Sequence, residues 1–129
     1  MSEYRPGLVL HVAPAVVYVL CVFIVGLVPQ GPELPPRIPH IDKLAHLLVF
    51  GLMQWVLLKP VRFLWEERSL SWQLAWTFIV VCLLGAILEL AQGLTPTRST
   101  ELFDWLADAL GALLMALLLR RATHLPEAQ

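Results

Sequence analysis

Few side chains in this 129-residue sequence carry charge within apolar surroundings, and those that do fall in three short segments. Asp42, Lys43 and His46 open one apolar run, Glu89 and Gln92 close another, and Asp104 and Asp108 begin a third. Asp42 and His46 are spaced i,i+4, as are Asp104 and Asp108, while Glu89 and Gln92 are i,i+3. On a helix each pair shares one face. His46 can change charge near neutral pH, which suits it to proton handling or to holding a ligand. The carboxylates of Glu89, Asp104 and Asp108 can accept from hydroxyls and amines, and Lys43 and Arg98 can contact anionic groups. Three acids and one histidine also form a donor set suited to Mg, Mn or Zn. None of the spacings is a metal motif, so neither a metal nor another cofactor is assigned from sequence. Ser99 and Thr100 read as helix caps, not as nucleophiles.

Each of these residues has a plain structural alternative. Asp42, one turn before His46, is sufficient to satisfy the imidazole. Glu89, Asp104, Asp108 and Arg98 can be an ion-pair network that pins a loop, provided its geometry repays the lost solvation. The acids outnumber Arg98, an imbalance that a purely structural network would avoid.

The elements that position these groups are set by composition. Only 15% of residues are charged and 58% are apolar, with a mean hydropathy of +0.72. An average soluble chain carries about 25% charged residues, so the outside of this chain is expected to face lipid. Four segments approach the roughly 20 apolar residues that a spanning helix needs: about 8–28, 41–58, 72–92 and 102–119. Pro14 lies inside the first. A Pro-rich connection, PQGPELPPRIPH, follows it and cannot be helical. The second span is expected to end before Lys59-Pro60, leaving 59–71 as a charged connection at the interface. Trp72 and Trp76 are placed to anchor the third span as an aromatic belt, and Ser99 or Thr100 is placed to cap the fourth. The expected architecture is an all-α integral membrane bundle of four transmembrane helices, forming a single domain over 1–129.

Net charge is −1, which argues against a nucleic-acid partner. Cys21 and Cys82 each sit deep in an apolar run and are not expected to pair. Ala107 and Gly111 form a small-xxx-small pair suited to close helix packing, within the bundle or between copies in an oligomer. His11 reads as an interface histidine, and His40 and His124 as solvated.

With four spans, both termini share a side with the middle loop. That side holds Arg5, Lys59, Arg62, Arg68, Arg120 and Arg121, and the other holds Arg37, Lys43 and Arg98. The excess of basic residues puts both termini in the cytoplasm. The start of span two, the end of span three and the start of span four then lie outside, with His46, Glu89 and Asp108 about 5–6 Å inward. The expected result is an outward-opening polar pocket between spans two, three and four.

The stretches DKLAHLLVF, ELAQGLTPTRS and DWLADALGALL, in this order and spacing, resemble the VanZ-like family of bacterial membrane proteins over residues 40 to 119. The family's motif positions fall on Asp42, Lys43, His46, Glu89, Gln92, Arg98, Asp104 and Gly111. Asp108 departs from the pattern, standing where the family commonly has Asn and making the pocket more acidic. The family's namesake is associated with resistance to teicoplanin, a glycopeptide antibiotic. The resemblance implies a multi-pass protein of the bacterial cell envelope. The expected function is binding of a membrane lipid, cell-wall precursor or lipophilic glycopeptide by Asp42, Lys43, His46, Glu89, Gln92, Arg98, Asp104 and Asp108. Two alternatives stay open: an enzyme acting on an envelope lipid or glycan, and an assembly factor whose charges only hold the bundle or a partner.

Overall fold

The computed structural model describes residues 6–29, 40–96 and 100–123. They form four α-helices, α1 (Pro6–Leu27), α2 (Ile41–Leu64), α3 (Leu70–Gly93) and α4 (Leu102–Ala122). All four are long and apolar enough to cross a membrane. Their large apolar side chains are exposed around the circumference, among them Leu10, Ile24, Leu48, Leu83, Leu90 and Leu118. Such surface is stable only against lipid, which is as apolar as the side chains themselves.

The helices alternate in direction. Gly7 at the start of α1 lies under the Phe63 ring at the end of α2. Gly26 at the end of α1 meets Leu88 and Gln92 at the end of α3. Lys43 near the start of α2 reaches Asp104 near the start of α4. The ends of α1 and α3 and the starts of α2 and α4 therefore gather at one face of the bundle.

Helix α2 is central. It packs most extensively on α4 and also on α1 and α3, whereas α1 lies at the periphery against α2 and, more lightly, α3. Among the described residues Ala15 is the one buried side chain of α1. The core is Phe50, Met53, Val81, Leu88 and Ala112, lined by Tyr18, Val22 and Phe23 from α1. Close approach of α2 and α4 depends on two glycines. A Cβ on Gly51 would lie 3.1 Å from the Gly111 carbonyl oxygen, and a Cβ on Gly111 would fall onto the Leu47 carbonyl. Gly111 thus serves packing within the chain.

Helix α2 departs from expectation by running through Lys59-Pro60 to Leu64. Proline forbids one backbone hydrogen bond but not a final turn. That turn is held by Phe63, whose ring lies 5.0 Å from the His11 ring on α1, and by the Trp65 N–H donating to the Val61 carbonyl at 3.0 Å. Helix α1 is continuous through Pro14, and α4 continues through both arginines to Ala122. Ser69 caps α3, accepting from the Trp72 N–H at 3.3 Å. Cys21 and Cys82 are both free thiols.

Candidate functional site

At the face where α1 and α3 end and α2 and α4 begin, seven charged or polar side chains meet inside apolar helices. They form an outer layer and an inner one. In the outer layer the Lys43 ammonium bridges two carboxylates of α4, donating to Asp104 Oδ1 at 3.0 Å and Glu101 Oε2 at 3.2 Å. Asp42 accepts from the neighbouring Lys43 N–H at 3.1 Å. Oxygens of Asp42, Glu101 and Asp104 lie within 4.8 Å of one another.

The inner layer centres on His46. Its Nδ1 lies 2.8 Å from Asp108 Oδ1 and 4.0 Å from Glu89 Oε1, and its Nε2 lies 3.8 Å from Asp104 Oδ2. Since a carboxylate only accepts, Nδ1 is the donor in the short contact. The imidazole is held flat against the Phe50 ring one turn on, at 6.3 Å between centroids with an 8° tilt. Asp108 is 0% exposed and Glu89 3%. Gly85 of α3 makes room for Asp108, because a Cβ there would stand 2.8 Å from Asp108 Oδ2. Trp105 fixes α4 to α3 alongside, its indole N–H donating to the Cys82 carbonyl at 3.0 Å.

Glu89 has a second task. Its Oε2 accepts from the Glu101 backbone N–H at 3.1 Å, supplying a carboxylate to the start of α4, where unsatisfied N–H groups and the helix dipole favour negative charge. Thr100, one of the two residues expected to cap α4, does not take that role. The N-cap is Glu101, without a side-chain cap bond. The Thr100 hydroxyl instead donates to the Glu89 carbonyl at the end of α3, at 3.3 Å. Ser99 lies outside the described residues.

Of the eight residues singled out from sequence, seven are described: Asp42, Lys43, His46, Glu89, Gln92, Asp104 and Asp108. Arg98 lies outside the described residues, as does His124. His46, Glu89, Asp104 and Asp108 are brought together as their helical spacing implied. The local pairing differs: His46 turns to Asp108 across the helix interface, and Asp42 joins the outer layer. Gln92 Nε2 donates to the Gly26 carbonyl at 2.9 Å and ties α3 to α1. Glu101 was not singled out, although its i,i+3 spacing from Asp104 marks it as part of the same face.

The open space also lies elsewhere than expected. The polar groups meet between α2, α3 and α4, but the groove, of about 430 Å³, runs between α1, α2 and α3. Tyr18, Cys21, Val22, Val25, Val49 and Leu88 supply its apolar walls, and Asp42, His46 and Gln92 stand at its polar end. The shift follows from packing. The glycine contacts close the α2–α4 seam, whereas peripheral α1 leaves a gap held open beside the Tyr18 hydroxyl, which donates to the Val49 carbonyl at 2.8 Å. His46 belongs to both places, with one side on the groove and the other on the buried acids.

Two carboxylate oxygens, Glu89 Oε1 and Asp108 Oδ2, are buried without a hydrogen-bond partner among the described residues. Buried charge is tolerated only when paired, hydrogen-bonded or facing a wet or ligand-bearing space. Lys43, committed to Asp104 and Glu101, does not answer the inner acids.

Fold and site together define a polytopic α-helical membrane protein with an acidic cluster buried at one end of its bundle. The chain belongs to the VanZ/LLP1 family, whose model matches residues 15–123. No curated protein and no solved structure matches the chain.

Proposed function

We propose that this chain is a multi-pass protein of the bacterial inner membrane whose polar end faces outward and binds the head of an amphiphile. The amphiphile is a membrane lipid, a lipid-linked cell-wall precursor or a lipophilic glycopeptide. The observation that carries this reading is the junction at His46. A mostly apolar groove of about 430 Å³ ends on Asp42, His46 and Gln92, directly in front of the acidic cluster. The acyl chain lies along α1, and hydroxyls or amines of the head donate to the polar end. Glu89, Asp104 and Asp108 stand behind that end and keep it acidic, and Lys43 bridges Asp104 to Glu101 beside them. The outward direction rests on the basic residues crowded at the opposite face. A lipophilic glycopeptide held in this way is kept from its target, which is how the site would contribute to glycopeptide resistance.

A second reading is favoured by the same pair of side chains. A histidine oriented by a buried aspartate and bordering a groove is the arrangement of a general base, so His46 and Asp108 would serve an enzyme acting on an envelope lipid or glycan.

Native mass spectrometry of the purified protein with teicoplanin, its deacylated core and phosphatidylethanolamine tests the binding reading. Wild type should retain at least one acylated compound. Ala45 also lines the groove, and Ala45→Trp, which puts an indole there, should lose it. Equal retention by both proteins would overturn the reading, and turnover of the retained compound would move the assignment to the enzyme.

A further inference from the structure

The two inner acids are not on the groove wall, and a bound amphiphile there does not answer their charge. Glu89 comes from the end of α3 and Asp108 from the second turn of α4, and both are more than nine-tenths buried. Glu89 Oε1 points at the imidazole, 4.0 Å from Nδ1, and has no hydrogen-bond partner among the described residues. One ligand atom each from His46, Glu89 and Asp108 lies within 4.8 Å of the other two. Three helices thus present one nitrogen and two carboxylate oxygens around a common point.

We propose that His46, Glu89 and Asp108 bind a divalent first-row transition ion of the zinc or manganese class. Imidazole nitrogen with two carboxylates is a donor set these ions accept, at metal–ligand distances of about 2.0–2.2 Å. The two carboxylates balance a dication, which removes the cost of leaving them buried and unanswered. Binding displaces the proton shared between His46 Nδ1 and Asp108, because a ligating imidazole nitrogen must be deprotonated. The remaining Glu89 oxygen still accepts from the Glu101 N–H, and that contact holds the ligating oxygen in place as outer partners of metal ligands do. Asp42, Glu101 and Asp104 also lie close together, but Lys43 already occupies Asp104 and Glu101, so the inner site is the one that takes the ion. This inference does not depend on amphiphile binding and is tested without any amphiphile.

Purified protein in detergent, stripped with a chelator, is titrated with zinc alone and with manganese alone, and bound metal is counted after dialysis. Cobalt substitution adds a visible spectrum that reports nitrogen and oxygen ligation. Wild type should hold one ion per chain. Asp108→Asn and His46→Gln, both close in shape to the native residue, should each weaken it at least about tenfold, the loss found even for outer partners of metal ligands. Glu67→Gln, exposed at the opposite end of the bundle, should bind as wild type does, and circular dichroism checks that each variant is folded. Failure of folded wild type to take up either ion at micromolar concentration would overturn the proposal. So would retention of the ion by both inner variants, or its equal loss in Glu67→Gln.

Discussion

The two ends of the bundle bury polar side chains in opposite ways. Towards the chain termini the buried polar residues are neutral and spend their donors on backbone carbonyls. Gln54 Nε2 donates to the Leu74 carbonyl at 3.1 Å, and Gln73 Nε2 donates to the carbonyls of Trp65 at 2.7 Å and Arg68 at 3.1 Å. The Thr77 hydroxyl donates to the Gln73 carbonyl at 2.7 Å. Charge at that end stays at the surface: Lys59 lies 3.9 Å from the centre of a Trp55 ring, and Arg68 lies 5.3 Å from that of Trp72, which stacks on Trp76. At the other end three of the four buried polar residues among those described are acids, Glu89, Asp104 and Asp108, with Gln92 the neutral one, and two carboxylate oxygens go unanswered, against one amide oxygen, Gln54 Oε1, at the neutral end. Neutral amides are sufficient to join helices inside lipid. Unbalanced carboxylates cost more than they return as mortar, which supports the proposal that the charged end serves a ligand.

The comparison depends on the α2–α4 seam, and breaking the seam should have the largest effect. Gly111→Val places a branched side chain on the Leu47 carbonyl and should force α4 away from α2. The expected loss is about 3 kcal/mol, the upper end of ordinary overpacking, read as a lower thermal midpoint in detergent. Both the His46–Asp108 contact and amphiphile binding should go with it. At the neutral end, Gln73→Leu removes two hydrogen bonds to the α2–α3 connection and should cost about 1–2 kcal/mol. Amphiphile and metal binding should stay at wild-type levels, as a binding titration alongside the melt would show.

Much of this was legible in the chain, and the exceptions have physical causes. Hydropathy located the four helices because a lipid-facing helix must be apolar over most of its length. It ended α2 at Leu58, since Lys59-Pro60 looks like a stop, and the contacts of Phe63 that carry the helix to Leu64 are tertiary. Helical spacing put His46, Glu89 and Asp108 at one depth, and they meet. Spacing along one helix could not show that His46 pairs across to Asp108 and not back to Asp42. It could not show that Lys43 is consumed by Asp104 and Glu101, either. The groove was invisible because α1 carries almost no polar residue to mark its inner face, Tyr18 being the exception. Gln54, Gln73 and Thr77 escaped notice because single neutral polar residues barely lower the hydropathy of a span.

The central claim is that the charged end is kept for what it binds, not for what it holds together. The double variant Glu89→Gln/Asp108→Asn tests it most directly, because both replacements preserve shape and the acceptors used by Glu101 and His46. Thermal stability and uptake of the divalent ion held by wild type are measured on the same preparation. The account predicts a midpoint equal to or above wild type, since unbalanced buried charge is removed, together with at least about tenfold weaker binding, or 1.4 kcal/mol. A bundle that loses stability while its folded fraction binds as wild type does would contradict it.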